Sequence, residues 1–590
     1  MCGIAGEIRF DNSYPSQDNI QTMLDTMRKR GPDGHGIYAY NNMALGHRRL
    51  SIIDLSDQGS QPMVDNNLGL VLTFNGCIYN YPDLRAELIE LGYSFFSTSD
   101  TEVILKAYDA WGEDCVSRFH GMFAFAIWER KTGKVFLARD RFGIKPLYYQ
   151  AGDKFFRFAS FLPSLLKMPD VDKTIDPAAL QHFLSFRAIV GTHSLFNGIR
   201  KLPPATTLTI TPDGKRSQKT YWQNNYLRTQ EDEDRSEEEW IDLVHEGLLR
   251  AVERRLVADV PVGVLLSGGL DSSLIVGLLS ELGQKGLNTF SIGFENVAET
   301  EGNEFKYSDI IADHFGTEHH KIFAEHSMLK DNLGDCIRNM SEPMVSHDVI
   351  GFYLLSREVS KHVKVVQSGQ AADEVFGGYH WYPPQMDIKP EEGADVYAQH
   401  YFNMGFEDYK NAVHDDFIDT DYAMDTVRDY YDSSPAASAI DKTLDIETSL
   451  MLVDDPVKRV DNMTMAWGLE ARVPFLDHEL VELAARIPAK YKLAQGGKHV
   501  LKEVARRIVP HDVIDRPKGY FPVPALKYMQ GEYLELARDV FDQPAARERK
   551  LFNRDYIDDL LDDPEKHVIK FGSKLWHATL LEYWMQEQGV

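Results

Sequence analysis

The 590-residue chain lacks the features that mark membrane, secreted and nucleic-acid-binding proteins. It contains no stretch of about 18 uncharged apolar residues, the length that a membrane-spanning helix needs. It does not begin with the basic and then apolar segments of a signal peptide. Lysine and arginine number 63 against 90 aspartates and glutamates, a formal net charge of −27, whereas nucleic-acid binding needs a basic surface. The sequence therefore predicts a cytoplasmic protein without a membrane or nucleic-acid partner.

Cysteine is also scarce, and the chain contains only Cys2, Cys77, Cys115 and Cys336. These residues are too far apart in sequence to form a metal-binding pair, and in a reducing cytosol we expect free thiols. The Gly-Lys-Ser/Thr ending of a Walker A phosphate loop is missing as well. These absences exclude a disulfide scaffold and a P-loop nucleotide site.

Composition changes most sharply at Gln230–Glu239, where nearly every residue is charged. Such a run is typical of a linker or of the solvated start of a helix. Ser236 followed by Glu239 resembles a capping box at the head of an amphipathic helix. We therefore predict two domains, residues 1–225 and residues 236–590.

The two halves differ in their pattern of apolar residues. Before the boundary the pattern is mixed, with helices predicted over Tyr81–Leu91 and Thr101–Trp111 and strands over Gly121–Trp128 and Lys134–Ala138. Beyond it, strands predicted over Val262–Leu266, Thr289–Phe294 and Val363–Gln367 alternate with helices over Leu270–Leu282, Glu304–His314 and Ile350–Lys361. This alternation favours a parallel sheet with helices on both faces. The acidic and aromatic stretch 382–435 has weak periodicity, and we predict an insertion or lid there.

Cys2 is the first chemical signal. A small residue after Met1 permits removal of the initiator methionine, which would expose a Cys2 α-amine with a pKa of about 7.7–8.0. This amine can act as the general base for its own thiol, so that the nucleophile needs no neighbouring histidine. Taken alone, a cysteine at this position is more often an ordinary buried thiol.

Five short motifs downstream help to interpret the role of Cys2. They are Arg30–Gly34, His47–Asp54, Phe74–Asn80, Thr98–Glu102 and Gly121–Phe125. In the second, Arg49 precedes an apolar run that we predict to be a strand. In the third, an Asn-Gly pair lies between apolar residues, which is usually a hairpin-turn signal. Together the motifs resemble the class II glutamine amidotransferase domain, an N-terminal-nucleophile hydrolase in which two sheets are sandwiched between helices.

The resemblance implies roles for the matching residues. Arg49 would hold the α-carboxylate of glutamine through a bidentate fork, and Asp100 would pair with its α-ammonium group. The Asn75 side chain and the Gly76 backbone N–H would form an oxyanion hole, an interpretation that is compatible with a hairpin at Asn75-Gly76. The implied glutamine-binding set is Arg49, Ile53, Asn75, Cys77 and Asp100.

A second motif lies in the C-terminal half, where Val264–Ser273 has the pattern of an apolar strand, a small-residue turn and a helix. The backbone N–H groups of such a turn, with a helix N-terminus behind them, suit a polyphosphate. Asp271 at the helix start would repel bare phosphates and therefore implies Mg²⁺. The string Ser267–Ser272 is similar to the pyrophosphate loop of ATP pyrophosphatases. Enzymes of that type cleave ATP between the α and β phosphates and adenylylate a carboxylate.

Further segments match in order: Phe290–Phe294, Gln367–Tyr379, Glu470–Asp477 and Lys498–Glu503. With the earlier motifs they resemble the glutamine-hydrolysing asparagine synthetase family over nearly the whole chain, apart from 382–435. The resemblance implies that Asp271 and Asp373 bind Mg²⁺ and pyrophosphate and that Lys498 stabilises charge at the α-phosphate. It implies ATP binding by Leu265, Ser267, Gly268, Gly269, Asp271, Ser272, Ile292, Ser368 and Gly369. Two sites in one chain also imply an internal ammonia tunnel, and a homodimer is compatible with the pattern.

Two positions depart from asparagine synthetase itself. Gln370 stands where that enzyme usually has the glutamate that handles the proton lost when ammonia attacks, and glutamine is not a base at neutral pH. Cys77 replaces a glutamate beside the amino group of the substrate. The pattern looks most like a branch of the family that amidates N-acetylglutaminylglutamine, a small acylated dipeptide whose product is an osmolyte. We expect that acceptor, with Glu374 or departing pyrophosphate taking the proton.

Other interpretations stay open at this point. The same chemistry with aspartate as acceptor would make the protein a true asparagine synthetase. A degenerate, non-catalytic binding protein is disfavoured by the complete set of motif residues. A metal hydrolase using His319 and His320 is weaker still, because adjacent residues of a helix or strand point in different directions.

Overall fold

The computed structural model describes residues 2–295, 304–516, 526, 528–570 and 572–590. The N-terminal half is built around two antiparallel sheets. Its strands are β1 (Gly3–Arg9), β2 (Gly34–Tyr40), β3 (Met43–Arg49), β4 (Met63–Asp65), β5 (Leu70–Ile78), β6 (Gly121–Glu129), β7 (Val135–Arg139), β8 (Tyr148–Ala151), β9 (Phe155–Ala159), β10 (Arg200–Lys201), β11 (Thr206–Ile210) and β12 (Arg216–Thr220). Its helices are α1 (Gln17–Thr26), α2 (Tyr81–Glu90), α3 (Asp100–Trp111), α4 (Leu162–Leu166) and α5 (Pro177–Phe186).

The two sheets pack face to face, and helices cover their outer faces. Their strand orders are β10-β8-β9-β1-β3-β2 and β12-β11-β7-β6-β5-β4. Strands β1 and β3 pack on β5, α1 packs on β1 and β3, and α3 packs on β5. Side chains alternate along β5, so Val71 enters the core between the sheets whereas Leu72 and Phe74 pack under α2 and α3. The predicted sandwich of the N-terminal-nucleophile hydrolase type is confirmed.

The C-terminal half is mostly helical around a smaller sheet. Its helices are α6 (Gln230–Asp234), α7 (Glu237–Arg254), α8 (Leu270–Glu281), α9 (Phe305–Phe315), α10 (His326–Arg338), α11 (Asp348–Val359), α12 (Ala372–Phe376), α13 (Gly393–Tyr401), α14 (Phe406–Ala412), α15 (Tyr422–Ser433), α16 (Ala439–Ile446), α17 (Lys458–Met465), α18 (His478–Arg486), α19 (Ala489–Leu493), α20 (His499–Arg506), α21 (His511–Ile514), α22 (Glu532–Asp542), α23 (Pro544–Arg549), α24 (Arg554–Asp562) and α25 (Lys574–Gln588). Its strands are β13 (Val262–Leu265), β14 (Asn288–Phe294), β15 (Glu318–Ala324), β16 (Val365–Gln367), β17 (Glu470–Arg472), β18 (Val568–Ile569) and β19 (Gly572–Ser573). Within the described ranges, no helix has the length and apolarity needed to cross a membrane.

Five strands of this half form a parallel sheet in the order β15-β14-β13-β16-β17. The chain forms the central strand β13 first, continues through β14 to the edge strand β15, and then returns to add β16 and β17 on the other side. This strand order is the doubly wound arrangement. In β13, Val264 packs in the core that contains α7 and α8, whereas Leu265 packs in the core that contains α11. Helices therefore cover both faces, and the predicted doubly wound sheet is confirmed. The edge strands β15 and β17 were not predicted, because both are rich in polar and charged residues.

Two expectations drawn from local sequence are wrong. Asn75 and Gly76 do not form a hairpin turn but lie inside β5, paired with β6. Arg49 ends β3 rather than preceding a strand, because the apolar residues after it form a loop. Glycine is needed at position 76 because a Cβ there would lie 2.1 Å from the carbonyl oxygen of Met122 on β6.

The charged run 230–239 is folded against the protein. Its first part forms α6, in which Asp232 is buried and pairs with Arg486. Ser236 and Glu239 form the predicted capping box at the start of α7. The run is therefore neither a free linker nor fully solvated, and the exact division of the chain into domains stays a prediction.

The stretch 382–435 has a definite shape, with helices α13, α14 and α15. Helix α15 packs against α5 of the N-terminal half. Gln181 Nε2 donates to Asp421 Oδ1 at 2.7 Å, and the ring of His182 lies 3.0 Å from Thr426 Oγ1. The stretch therefore helps to join the two halves.

Buried ion pairs cross between the halves. Asp461 on α17 binds Arg30 Nη2 at 3.0 Å and Lys145 Nζ at 3.3 Å. Asp454 binds Lys201 Nζ at 2.8 Å. All five groups are buried. Because an unpaired buried charge is costly, these pairs specify how the halves dock.

Loss of Asp454 should destabilise the docked state. The substitution Asp454→Ala leaves Lys201 and Lys458, which lies 2.7 Å from Asp454, to share the charge of Glu342. Removing one partner of a buried pair costs about 3–5 kcal/mol, so we expect a clearly lower thermal midpoint in calorimetry. Asp213→Ala, at the exposed pair with Lys215, is the control and should leave the midpoint unchanged. Equal midpoints for the two variants would contradict this account of the interface.

Candidate active sites

The start of β1 and the middle of β5 bring Cys2 and Asn75 together. The Cys2 backbone N–H donates to Asn75 Oδ1 at 2.9 Å, and Arg30 Nε donates to the Cys2 carbonyl at 3.4 Å. Cys2 is 7% exposed, and burial raises the pKa of its thiol. All four cysteines are free, as predicted. A raised thiol pKa means that a Cys2 nucleophile needs a base to take its proton.

Two hydrogen-bond donors of β5, Asn75 Nδ2 and the Gly76 N–H, lie next to Cys2. Asn75 Nδ2 is buried and has no partner among the described residues, which is uncommon for a buried amide. The Gly76 N–H points away from β6, because its paired residue Phe123 turns its own N–H and C=O to Asp140 on the other side. Gly76 lines the same cavity as Cys2. Two such donors suit an oxyanion.

The neighbouring N–H groups on this edge of β5 are already occupied. The Phe74 N–H donates to Gln61 Oε1 at 2.7 Å, and the Ile78 N–H donates to Asp100 Oδ2 at 3.1 Å. Gly76 lies between them. Among the described residues on this edge of β5, the Gly76 N–H is therefore the donor that a ligand can use.

Arg49 is fixed by the loop that follows it. Its Nη1 donates to the Ser56 carbonyl at 2.8 Å, and its Nη2 donates to the Asp54 carbonyl. A Cβ at Gly59 would lie 2.4 Å from Arg49 Nη2, so this glycine makes room for the guanidinium. The planar fork is thereby held in the cavity wall, where it suits a carboxylate.

These groups surround a cavity of about 390 Å³, its open mouth included. The predicted residues in its lining are Cys2, Arg49, Ile53, Gly76, Cys77 and Asp100. Asn75 contacts Cys2 from behind this lining. The wall also contains Gln61 and Glu470, which the sequence did not assign to it. No local signal could have found Glu470, because it comes from the C-terminal half.

The polar wall groups differ in charge. Asp100 lies in the first turn of α3, and burial raises its pKa to about 6. Burial raises the pKa of the Cys77 thiol far more, so Cys77 is neutral. Arg472 Nη2 lies 3.7 Å from Cys77 Sγ. Cys77 therefore supplies no negative charge at the position where asparagine synthetase was expected to have a glutamate.

In the C-terminal half, β13 leads through a tight loop into α8. Gly268 has a φ of +70°, and a Cβ there would lie 2.5 Å from the Ser308 nitrogen, so only glycine fits. Ser267 Oγ lies 3.1 Å from Ser272 Oγ and accepts from the Gly269 N–H at 3.2 Å. The predicted phosphate-binding residues therefore form one compact loop.

Lys498 joins the two acids that were predicted to bind Mg²⁺. Its Nζ lies 2.8 and 2.9 Å from the Asp271 carboxylate oxygens and 2.9 Å from Asp373 Oδ1. Burial lowers the pKa of Lys498, but the two acids outweigh burial and raise it. Converging carboxylates are hard oxygen ligands of the kind that Mg²⁺ prefers. The residues present therefore fit a Mg²⁺ ion.

The other predicted ATP contacts lie at the same end of the sheet. Ser368 and Gly369 follow β16 directly, and a Cβ at Gly369 would lie 2.9 Å from Asp271 Cβ. Leu265 and Ile292 are each 7% exposed and share one core cluster, near the carboxyl ends of β13 and β14. Ligands of doubly wound sheets bind outside the carboxyl ends of the strands.

A buried acid lies beside this site. Glu374 follows Asp373 in the first turn of α12, and Tyr379 donates its hydroxyl to Glu374 Oε1 at 2.8 Å. Burial raises the pKa of Glu374 to about 7. Glu374 can therefore exchange a proton near neutral pH, which Gln370 cannot do.

Arg516 is a site residue that the sequence did not reveal. Its Nη2 lies 3.6 Å from the position of a Cβ built on Gly269. It is held by Glu304 Oε2 at 3.0 Å and by the Tyr307 ring at 4.4 Å. A guanidinium over the phosphate loop suits an anionic ligand. Only the tertiary structure brings it there, since it lies far along the chain.

The fold defines a two-part class of protein, an N-terminal-nucleophile sandwich joined to a doubly wound sheet of the nucleotide-binding type. Comparison with known families agrees with this division of the chain. Residues 1–222 match the family described as glutamine amidotransferase domain, and residues 243–586 match the family described as asparagine synthase.

Two curated relatives are similar over nearly the whole length, and a third is similar over 64% of this chain. Asparagine synthetase [glutamine-hydrolyzing] 1 of Bacillus subtilis (strain 168) is 32% identical across 99% of this chain and 96% of its own. Asparagine synthetase 3 of the same organism is 32% identical across 95% and 93%. A putative asparagine synthetase 2 of Methanocaldococcus jannaschii is 35% identical across 64% and 76%. The chain therefore belongs to the glutamine-hydrolysing asparagine synthetase family. It is a glutamine-dependent carbon–nitrogen ligase that uses ATP as a substrate.

Glutamine binding should depend on the ionisation of Asp100. Because the pKa of Asp100 is raised to about 6, the group loses its charge below that pH and attracts a cation less. We expect the affinity of a Cys2→Ala variant for glutamine, measured by titration calorimetry, to fall about tenfold per pH unit below about pH 6. An added Asp100→Asn substitution should give weaker binding that no longer changes over this range. An unchanged pH profile after that substitution would refute the assignment.

Proposed function

We propose that this protein is a cytoplasmic enzyme that hydrolyses glutamine at the Cys2 cavity and amidates N-acetylglutaminylglutamine at the Lys498 site. Glutamine and water give glutamate and ammonia. The acceptor carboxylate attacks the α-phosphate of ATP, which releases pyrophosphate and gives an acyl adenylate. Ammonia then attacks the acyl carbon, so that the amide forms, AMP leaves and one proton is lost.

The glutaminase step uses the groups around Cys2. Once Met1 is removed, the α-amine takes the thiol proton, directly or through a water. The thiolate attacks the side-chain amide carbon of glutamine. Asn75 Nδ2, which has no partner among the described residues, and the Gly76 N–H, which faces away from β6, bind the oxyanion that forms.

The amino-acid end of glutamine is held by opposite charges. Arg49, already fixed by two carbonyls, binds the α-carboxylate. Asp100 attracts the α-ammonium group. Ile53 and Cys77 line the same cavity and contact the aliphatic part of the substrate.

The synthetase step uses the loops at the end of the parallel sheet. The N–H groups of the loop Ser267–Ser272 bind phosphate, and Leu265 and Ile292 pack near the adenine. Asp271 and Asp373 would hold Mg²⁺, which neutralises charge on the pyrophosphate when bound. Lys498 stays close to the α-phosphate and stabilises the charge that develops there.

The observation that supports the acceptor is that Gln370 is not a base, whereas the buried acid Glu374 follows it in the first turn of α12. Glu374 lies against an aromatic wall, where Tyr379 and Trp381 stack with ring centroids 4.2 Å apart. Aspartate carries an α-ammonium group, whereas N-acetylglutaminylglutamine carries an acyl cap and two neutral amide side chains. A larger acceptor that lacks an ammonium group suits an aromatic wall better than a small zwitterion does.

Aspartate is the second candidate acceptor. It is favoured by the names of the relatives that match nearly the whole chain, which are asparagine synthetases. The two candidates share both half-reactions and the same two sites. They differ only in the molecule that is adenylylated.

Ammonia has to travel inside the protein, because free ammonia released to water would be protonated and lost as a nucleophile. The proposed path crosses the junction between the halves, which we divide at residues 225–236. The buried ion pairs of Asp454 and Asp461 keep that junction closed.

Cys2→Ala should abolish glutamine-dependent synthesis and glutamate release. Synthesis with added ammonia should stay largely intact, because the two sites lie on different halves of the chain. Cys115→Ala, which removes a buried thiol far from the cavity, is the matched control. Full glutamine-dependent activity in the Cys2 variant, measured as glutamate formed, would disprove the nucleophile assignment.

The acceptor can be identified by competition. With ammonia, ATP and Mg²⁺, equal concentrations of N-acetylglutaminylglutamine and aspartate are offered, and products are measured by mass spectrometry. We expect the amidated dipeptide to dominate, with AMP and pyrophosphate formed in equal amounts. Asparagine as the main product would establish aspartate as the acceptor, and ADP with orthophosphate would exclude the adenylylation chemistry.

Glu374→Gln should slow the attack of ammonia but not adenylylation. Loss of a general base typically lowers a rate about 10²–10⁴-fold, so ammonia-dependent amide synthesis should fall by that factor. Exchange of labelled pyrophosphate into ATP, which reports the earlier step, should be retained. Loss of both activities together would show that Glu374 supports the loop rather than taking the proton.

A further inference from the structure

Among the described residues that line the Cys2 cavity, Glu470 alone comes from the C-terminal half. Glu470 begins β17, where its N–H donates to the Lys364 carbonyl at 2.8 Å and it pairs with Val365 of β16. The residue is 1% exposed. The edge strand of one half therefore carries a carboxylate into the wall of the cavity in the other half.

Glu470 is charged and held in one orientation. Arg472 Nε donates to Glu470 Oε1 at 2.6 Å. Arg472 is itself anchored through Nη1 to the carbonyls of Arg255 and Val257 at 2.9 and 2.8 Å. Burial raises the pKa of Glu470, but the positive charge of the chain N-terminus, followed by those of Arg472 and Lys145, outweighs burial and lowers the pKa to about 2. The carboxylate is therefore ionised at neutral pH.

Glu470 and Asp100 are close enough to act on each other. After burial, the negative charge of Glu470 is a further cause of the raised pKa of Asp100, and it acts on Cys2 as well. Two carboxylates that repel each other within one cavity form a site that a cationic group stabilises. The α-ammonium group of an amino acid is such a cation.

The cavity needs this second carboxylate because Cys77 is neutral. Within the described lining, Asp100 and Glu470 are the acids, and Arg49 is the cation. Asp100 alone is partly protonated near pH 6. Glu470 therefore provides a permanent negative charge where residue 77 provides none.

We propose that Glu470 is a specificity residue for glutamine, contributing across the junction of the two halves the second carboxylate that selects the α-ammonium group. The inference rests on the proposed function, in which Arg49 binds the α-carboxylate and Asp100 the α-ammonium group. It has a structural consequence: the glutaminase cavity is complete only when the two halves are docked.

The test compares glutamine with 4-carbamoylbutanoate, which is glutamine without its α-ammonium group. Hydrolysis of each by the full chain is followed through ammonia release, and the inhibition constant of 4-carbamoylbutanoate replaces its KM if it is not turned over. Glu470→Gln should lower kcat/KM for glutamine about 10- to 100-fold, the range for losing a charge-assisted hydrogen bond. The constant for 4-carbamoylbutanoate should change less than about threefold.

Asp477→Asn is the matched control, because Asp477 is a buried acid of the same segment that pairs with Arg254 and Arg255 and does not line the cavity. It should affect both compounds equally. An equal loss for both compounds in Glu470→Gln would overturn the inference and leave Glu470 as a structural partner of Arg472.

Asp100→Asn separates this inference from the proposed function. If Asp100→Asn reduces the preference for glutamine and Glu470→Gln does not, the proposed placement of glutamine stands and the role of Glu470 is refuted. If neither substitution changes the preference, the placement of glutamine itself is wrong.

Discussion

The structure depends on a few buried charges that cross from one half of the chain to the other. Asp461 is shared by Arg30 and Lys145, and Asp454 binds Lys201. Each acid would be costly to bury alone, so the halves are stable against one another only in the register that pairs them. This docking fixes the distance between the Cys2 cavity and the Lys498 site.

Strand β17 lies where the two sites meet. The Ser368 N–H, in the loop expected to bind ATP, donates to the Arg472 carbonyl at 2.9 Å. The Arg472 side chain reaches Cys77 Sγ in the other half, and Glu470 lines the Cys2 cavity. The main chain of Arg472 therefore contacts the loop expected to bind ATP, and its side chain contacts the wall of the Cys2 cavity through Cys77.

Local sequence patterns predicted local structure well, but they failed where contacts between distant segments determine the conformation. The capping box at Ser236 and the loop before α8 formed as predicted, because each depends on neighbours within one turn. The Asn75-Gly76 pair suggested a turn, but it lies inside β5. Glycine is required there because a side chain at position 76 would clash with the Met122 carbonyl on β6. Strand β17 was not predicted because Glu470 and Arg472 are charged, although both are buried. Arg472 donates to the carbonyls of Arg255 and Val257, which are far away in the sequence.

The sequence by itself determined the two-part fold, the family and the identity of the residues around Cys2 and Lys498, since short motifs carry their own turns, caps and chemistry. The tertiary structure alone decided that Asn75 Nδ2 has no partner among the described residues and how far the pKa of Asp100 rises. It alone brought Glu470 to the Cys2 cavity. These properties depend on burial and on long-range electrostatics, which arise only when distant segments pack and exclude water.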